Sequence, residues 1–307
     1  SIFIDNLFIM RIFFSLISLI FIFFFSCSKI QSSDRENWIS LFNNKDLNDW
    51  TIKIADRALN DNYKNTFQVE DSILKIVYDS YDDFDDKYGH IYYKQPYSFY
   101  KLRFDYRFNG NQTPGGELWN NRNSGVMIHS QSAQSNTYSQ HFPVSIEIQL
   151  LGGLGIKQRP TANLCTPGTA VVYKNQLDFT HCISSISKTY HGDQWVNVEA
   201  IVLGGESITH IVENDTVLKY EAPQIDDAFL SKSAEGKDWE IMGVSNKEKW
   251  INKKGEIITE GYIALQAESH PIDFKNIKLL NLCGCMDKKA KNYKSYYIKN
   301  DLKNCIY

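Results

Sequence analysis

The sequence predicts an all-β chain folded as an antiparallel β-sandwich or jelly roll. Three observations carry that expectation. Apolar and polar residues alternate with period two in many short runs, and Gly, Pro, Asn and Asp punctuate those runs. No stretch carries a long amphipathic helical pattern. The strand-like runs occupy about 245 residues, a span that one all-β domain can fill. The 18 Tyr, 18 Phe and 6 Trp suit cross-strand packing first, and a stacking surface for sugars second. A net charge of -3 with no basic stripe argues against a nucleic-acid partner.

At the N-terminus, Arg11 precedes an apolar run over residues 12–25, closed by Ser26 and Cys27. A charged start, a short apolar stretch and a small residue before Cys are the grammar of an export signal. The run is short for a membrane span. Phe24-Phe25-Ser26-Cys27 resembles a bacterial lipobox, which implies that Cys27 carries lipid and becomes the mature N-terminus. An ordinary signal peptide with an incidental Cys is the alternative. Met10 is the expected start, residues 1–27 the signal and the polar residues 28–37 a tether. This places the protein outside the cytoplasm, lipid-anchored to the cell envelope at the outer membrane.

Residues 38–50 read as an opening strand and a turn, and residues 67–76 as a hairpin around Asp71-Ser72. The Asp-rich residues 78–88 form a solvated loop, since their spacing lacks an EF-hand pattern. Residues 99–108 alternate Leu102, Phe104, Tyr106 and Phe108 against Arg103, Asp105 and Arg107. The loop over residues 109–123 is too long for a hairpin, and such loops are often functional. It holds Trp119 and Arg122, positioned to stack on and clamp a sugar.

In the strand from Asn123 to Ser130, Val126 and Ile128 turn inward while Met127 and His129 turn outward. The strand over residues 144–150 buries Val144, Ile146, Ile148 and Leu150, and presents Ser145, Glu147 and Gln149 on the other face. Residues 160–181 are irregular. A hairpin over residues 195–202 and 207–212 turns at Gly204-Gly205, and a short strand over residues 216–220 follows. Residues 224–258 read as an excursion or lid. In residues 261–270, Ile263, Leu265 and Ala267 oppose Gln266, Glu268 and His270, and residues 274–280 close the domain.

With Cys27 set aside, five cysteines remain. Cys165 and Cys182 flank one loop-rich segment and are expected to pair, as an exported protein permits. Cys283, Cys285 and Cys305 sit in a separate tail, residues 282–307, and leave an odd count. A zinc site at Cys283-Gly284-Cys285 is disfavoured, because CxxC spacing and a nearby His are missing.

The polar strand faces are expected to meet in one groove that handles a sugar. Taken singly, each residue has a blander reading. A strand Glu is commonly a solvated face residue, and His270 before Pro271 can simply end a strand.

Several strings then resemble one family. Leu41-Phe42-Asn43-Asn44-Lys45-Asp46-Leu47-Asn48-Asp49-Trp50 is similar to its opening "LFNGKDLSGW", Asn123-Ser124-Gly125-Val126-Met127-Ile128 to "NSGVFLR", and Ile146-Glu147-Ile148-Gln149-Leu150 to "YEVQILD". Gly192-Asp193-Gln194-Trp195 resembles "GEWN", and residues 261–277 resemble the closing "G-I-LQ-H-V-FRNI". This is the 3-keto-disaccharide hydrolase family. The resemblance implies a concanavalin A-like jelly-roll sandwich of two antiparallel sheets over residues 38–281. His129 stands where the family often has Arg, Lys275 replaces the Arg of "FRN", and Leu151-Gly152-Gly153 replaces the acid after "QIL". The tail around Gly284-Cys285-Met286-Asp287 and Asn304-Cys305-Ile306-Tyr307 resembles a "GC-DP-A-NY…DDGSCIY" element of exported proteins, which implies a Cys285–Cys305 pair.

The family resemblance implies cleavage of glycosides already oxidised to a ketone at sugar C3. That ketone acidifies the C2 hydrogen, so a modest base removes it if the enolate is stabilised. The group at C1 then leaves, and water can add back to complete net hydrolysis. This differs from the oxocarbenium route of two-carboxylate glycosidases. Glu147 or Glu268 is the expected base, and His270 the acid or a metal ligand. His129, Gln149, Gln266 and Asn123 bind substrate oxygens. A divalent metal on Glu147, Glu268 and His270 is one possible cofactor. The alternative is a non-catalytic carbohydrate-binding lipoprotein that uses the same groove.

Overall fold

The structure, a computed structural model, describes residues 34–226 and 247–307. The signal segment with Cys27, the first part of the tether and the centre of the expected excursion lie outside the described residues. Among the described residues no helix is long and apolar enough to cross a membrane. Trp38–Cys283 forms one compact unit, and Gly284–Tyr307 belongs with residues 34–37 to a second.

The larger unit is built from two antiparallel sheets. In chain order its strands are β1 (Ile39–Ser40), β2 (Trp50–Ile54), β3 (Phe67–Glu70), β4 (Ile73–Ile76), β5 (Gly89–Tyr93), β6 (Phe99–Phe108), β7 (Asn123–Ser130), β8 (Ile146–Leu151) and β9 (Asn163–Cys165). There follow β10 (Thr169–Tyr173), β11 (Gln176–Asp178), β12 (Cys182–Ile183), β13 (Val196–Leu203), β14 (Ser207–Val212), β15 (Asp215–Ile225), β16 (Tyr262–Ala267) and β17 (Ile272–Asn281). One sheet runs β11-β10-β15-β14-β13-β6-β17-β4-β3, with β1 also on β17. The other runs β12-β9-β8-β7-β16-β5-β2. The all-β sandwich expected from the sequence is therefore the fold.

Period-two alternation sets the faces. Leu102, Phe104, Tyr106 and Phe108 of β6 enter the core, as do Val126 and Ile128 of β7, Ile146, Ile148 and Leu150 of β8, and Ile263, Leu265 and Ala267 of β16. A one-residue slip would turn each set to the other face, so the buried face fixes the register. Val144 departs from the expected pattern. It precedes β8 and packs instead with Ile225 and Trp250.

Three hairpins turn on two consecutive residues with positive φ: Asp71-Ser72, Lys174-Asn175 and Glu213-Asn214. That is the turn geometry whose twist matches paired strands. The second of them lies in residues 160–181, which sequence reading left irregular. The segment in fact supplies β9, β10 and β11. Residues 89–93 show no alternation in the sequence because every residue of β5 is buried.

The other face of the larger sheet carries cross-strand ion pairs. Arg103 Nη2 donates to Glu199 Oε2 at 2.6 Å, and Arg107 Nη2 to Asp273 Oδ2 at 2.5 Å, each pair directly opposite across β6. Trp195 receives two cations, Lys275 at 3.9 Å and Arg107 at 4.5 Å from its ring centre. The Arg103–Glu199 pair is partly exposed and contributes about 0–1 kcal/mol, whereas Asp273 is buried and depends on Arg107 for its partner.

Gly284–Tyr307 holds few apolar residues, and small units of this kind depend on covalent ties. Cys285 is bonded to Cys305. Lys291 N donates to Ile306 O at 2.7 Å, and Tyr307 Oη to Asp287 Oδ2 at 2.9 Å.

Phe104 is fully buried between the sheets. Phe104→Ala is expected to cost about 3–5 kcal/mol, read as a lower urea midpoint at unchanged slope. A loss under about 1 kcal/mol would mean that the core does not depend on this contact.

Candidate functional site

The smaller sheet has one face in the core and one outside it, and the outer face is polar in the middle. His90 pairs opposite Gln266, Gly125 opposite Gln149, and Gln149 opposite Asn163. Glu147 lies one step along β8, opposite Met127 and Cys165. Glu268 follows directly after β16, on the same side as Gln266. Period two thus gathers on one face what the sequence scatters over 180 residues or so.

Gly125 decides how two of these groups meet. A Cβ built there would stand 2.3 Å from Glu147 Oε1 and 2.8 Å from its Cγ and Cδ. The Glu147 side chain therefore lies over the backbone of β7, in space that any other residue would fill. It leans toward β16, where Glu268 is. Both carboxyls are buried. Burial pushes both above the usual carboxylate range, and the neighbouring Glu147 pushes Glu268 further. Arg159 acts against this on Glu268 without reversing it.

The two carboxyls open into a cavity of about 630 Å³. Its floor is Glu147, Glu268, Gln149 and Asn123, with Arg159 beside them. Leu118, Trp119, Phe142, Leu151, Leu154 and Pro167 form its walls and mouth, together with His181 and the bonded pair Cys165–Cys182. Gln149 Oε1 accepts from Asn163 Nδ2 at 3.0 Å, which fixes the amide. Arg159 Nη1 donates to Gly152 O at 2.7 Å and to Arg122 O at 3.0 Å. Trp119 lies parallel to Tyr88, 6.3 Å between ring centres.

Buried polar atoms normally find partners. Here Glu268 Oε2, Asn123 Oδ1, His90 Nε2 and both amide atoms of Gln266 have none. They lie on this one face of the sheet, and Glu268 and Asn123 among them line the cavity, where a bound hydroxyl-rich ligand would satisfy them.

Five residues singled out in the sequence line the cavity: Glu147, Glu268, Gln149, Asn123 and Trp119. Four do not. His129 was expected outward, yet it has a φ of 50° beside a register shift between β16 and β7, and its Nε2 meets Gly204 O at 2.9 Å. Gly261 packs so closely on the His129 backbone that a Cβ would come within 2.3 Å. The bulge turns the side chain away from the groove.

His270 lies past the end of β16 against Phe108, 5.6 Å between ring centres, and outside the cavity. Burial and then Arg122 lower it to about 4, so it is neutral at neutral pH and a poor acid there. Arg122 donates to Gly192 O and to Asp193 Oδ1, joining two loops rather than reaching a ligand. Gln266 lies on the polar face but behind the cavity lining.

Nor do the expected metal ligands assemble, because His270 stands apart from the two Glu residues. Among the described residues no three His, Cys, Asp or Glu side chains are placed to hold a metal ion.

Sequence reading missed Arg159, Phe142, Leu154 and Pro167, and gave His181 only a weak local case. All lie in loops, where period two gives no signal. The one cue is the Arg159-Pro160 pair just before β9.

A β-sandwich with a buried carboxylate pair at the floor of a cavity is the class defined by this fold and site. The chain belongs to the 3-keto-alpha-glucoside-1,2-lyase-like domain family, whose model matches residues 37–280. Two solved Parabacteroides distasonis proteins, provisionally described as glycosyl hydrolases, are 17% and 20% identical with TM-scores of 0.45 and 0.46. Each comparison covers 80% of this chain, and 99% and 93% of those chains. A carbohydrate-binding module of Bacillus subtilis is 9% identical with a TM-score of 0.41, over 76% of this chain and 96% of that one. No curated protein matches the chain.

Raised carboxyl pKa values make stability depend on pH in a defined direction. The protonated forms fit the buried site, so the contribution is complete below the ordinary carboxylate pKa. It is lost as pH rises through the raised values. Glu147→Gln has no proton to lose. Its melting temperature is expected to exceed that of the wild type at about pH 9 and to converge with it near pH 4. A constant gap across that range would show that Glu147 is not held protonated by the fold.

Proposed function

We propose that this chain is a carbohydrate-active enzyme that cleaves glycosides carrying a ketone at sugar C3. The observation that carries the proposal is the Glu147–Glu268 pair, two buried carboxyls facing one cavity, with Glu147 raised to about 8 and Glu268 raised further by Glu147, so that on raising the pH one ionises while the other keeps its proton. Both are raised by burial, and Glu147 adds a further upward push on Glu268. We assign Glu268 as the acid, and Glu147 as the base.

In the proposed reaction Glu147 takes the C2 hydrogen as a proton. The C2–H electrons form an enolate with the C3 carbonyl, and Arg159 stabilises the developing oxygen charge with N–H groups not used in its carbonyl contacts. The enolate re-forms the ketone as a C1–C2 double bond forms and the C1–O bond breaks. Glu268 delivers its proton to the departing oxygen. Water then adds at C1 and a proton returns to C2, completing net hydrolysis. Asn123 and Gln149 hold sugar hydroxyls, and Gln266 and His90 support the same polar face. His270, expected as the acid, is replaced by Glu268 in this role.

The lipobox-like string ending at Cys27 supports an exported protein anchored to the envelope membrane by lipid. Intact mass of the mature protein checks this. A lipid-modified N-terminal Cys27 is expected, and an unmodified terminus removes the anchor.

A 3-keto-glucoside with a nitrophenyl leaving group tests the reaction. Glu147→Gln is expected to lower kcat by roughly a hundredfold or more. Glu268→Gln should spare nitrophenyl release, which needs little acid help, and suppress release of an alkyl alcohol far more. Sugar binding with no release from any keto-glycoside would leave a binding protein instead.

For the wild type, kcat/KM should rise with pH as Glu147 ionises and fall as Glu268 loses its proton, with both limbs above the ordinary carboxylate range. A profile already flat from about pH 5 would remove the shared-proton pair from the mechanism.

A further inference from the structure

We propose that the mouth of the cavity is a subsite for an apolar aglycone, so that the preferred substrates are glycosides of phenols or apolar alcohols and not disaccharides. This rests on the reading of the floor as the sugar site, and it concerns what leaves from C1.

The cavity is divided by polarity. Its carboxyls and the Asn123 amide lie buried at the floor, with the half-buried Gln149 and Arg159 beside them. Its mouth is apolar and open: Leu118 is 89% exposed, Trp119 52% and Leu154 46%. Single exposed apolar side chains are common on any surface, but several around one opening mark a ligand groove. Phe142 and Pro167 continue the same lining inward.

A second sugar ring would carry hydroxyls around its whole edge. Against leucine and proline those hydroxyls would lose water and gain no partner. A phenyl or cycloalkyl group loses nothing of the kind. Trp119 has one face along Tyr88 and so offers the other for stacking.

The wall is held in place before any ligand arrives. Trp119 O accepts from Arg159 Nη2 at 3.4 Å, and the next residue, Asn120, donates from Nδ2 to Tyr88 Oη at 2.9 Å. The guanidinium beside the carboxyls thus also holds the stacking residue, joining floor and mouth. Because the floor is buried and the mouth opens outward, the sugar enters first and its substituent fills the opening.

Binding is measured on Glu147→Gln, which on the proposed mechanism holds substrate without cleaving it. Calorimetry compares the 3-keto forms of phenyl, cyclohexyl and methyl glucoside with a 3-keto disaccharide. Phenyl and cyclohexyl glycosides are expected to bind roughly tenfold or more tightly than the methyl glycoside and the disaccharide. In the Trp119→Ala, Leu154→Ser double variant, whose changes are at exposed positions, that advantage should shrink to about twofold. A disaccharide that binds as tightly as the phenyl glycoside overturns the inference. So does an advantage that survives the double variant, or no binding by any of these glycosides. The two readings fail separately. An apolar preference without wild-type turnover sinks the enzyme and keeps the subsite, whereas turnover with no such preference sinks the subsite alone.

Discussion

Placing two carboxyls on the same face of a β-sheet under cover is unfavourable, since each loses water and each disfavours ionisation of the other. The fold accommodates them by leaving out a side chain. Gly125 sits on β7 between the strand of Glu147 and the strand that leads to Glu268, and its missing Cβ is the space the Glu147 carboxyl occupies. The raised pKa values, the cavity floor and the acid–base assignment all follow from that one gap. A methyl group there would force Glu147 to another position, even with every core contact intact.

The two sheets divide the work of the larger unit. The ten-stranded one turns charge pairs to its outer face, the partly exposed Arg103–Glu199 adding little energy and Arg107 satisfying the buried Asp273. The seven-stranded one keeps its outer face covered by loops and stocks it with polar groups that lack partners. A surplus of unsatisfied hydrogen-bonding atoms lowers stability. Glu268 and Asn123 carry such atoms into the cavity itself, with the core of Phe104, Ile148 and Leu265 offsetting the loss.

Much of this was legible in the sequence. The alternation around Ile146, Glu147 and Ile148 gave strand, buried face and polar face together, and so did Ile263 to Ala267. Period two carries that information without tertiary context. It fails where the backbone leaves regular geometry. At His129 a single left-handed residue reverses the expected direction, and nothing in Ile128-His129-Ser130 announces a bulge. At His270 the strand has already ended. Fully buried β5 has no polar side to alternate with, and Arg159 comes from a loop whose path depends on which carbonyls it meets. The cavity's apolar mouth was hidden for the same reason, because Leu118 and Leu154 are ordinary loop residues until the fold sets them around one opening.

The bond between Cys165 and Cys182 is part of the cavity wall, and Cys165 stands directly across from Glu147 in the β8–β9 register. Apart from it, β12 is joined to β9 by two register pairs at the sheet edge, Cys182 with Cys165 and Ile183 with Leu164. A reducing cytosol keeps such cysteines as thiols. Chain made and purified under reducing conditions would therefore carry this wall on a two-residue edge strand and the loop hydrogen bonds beside it, next to a carboxyl that depends on exclusion of water. Oxidative maturation belongs, in that sense, to the construction of the site as much as to the durability of the fold.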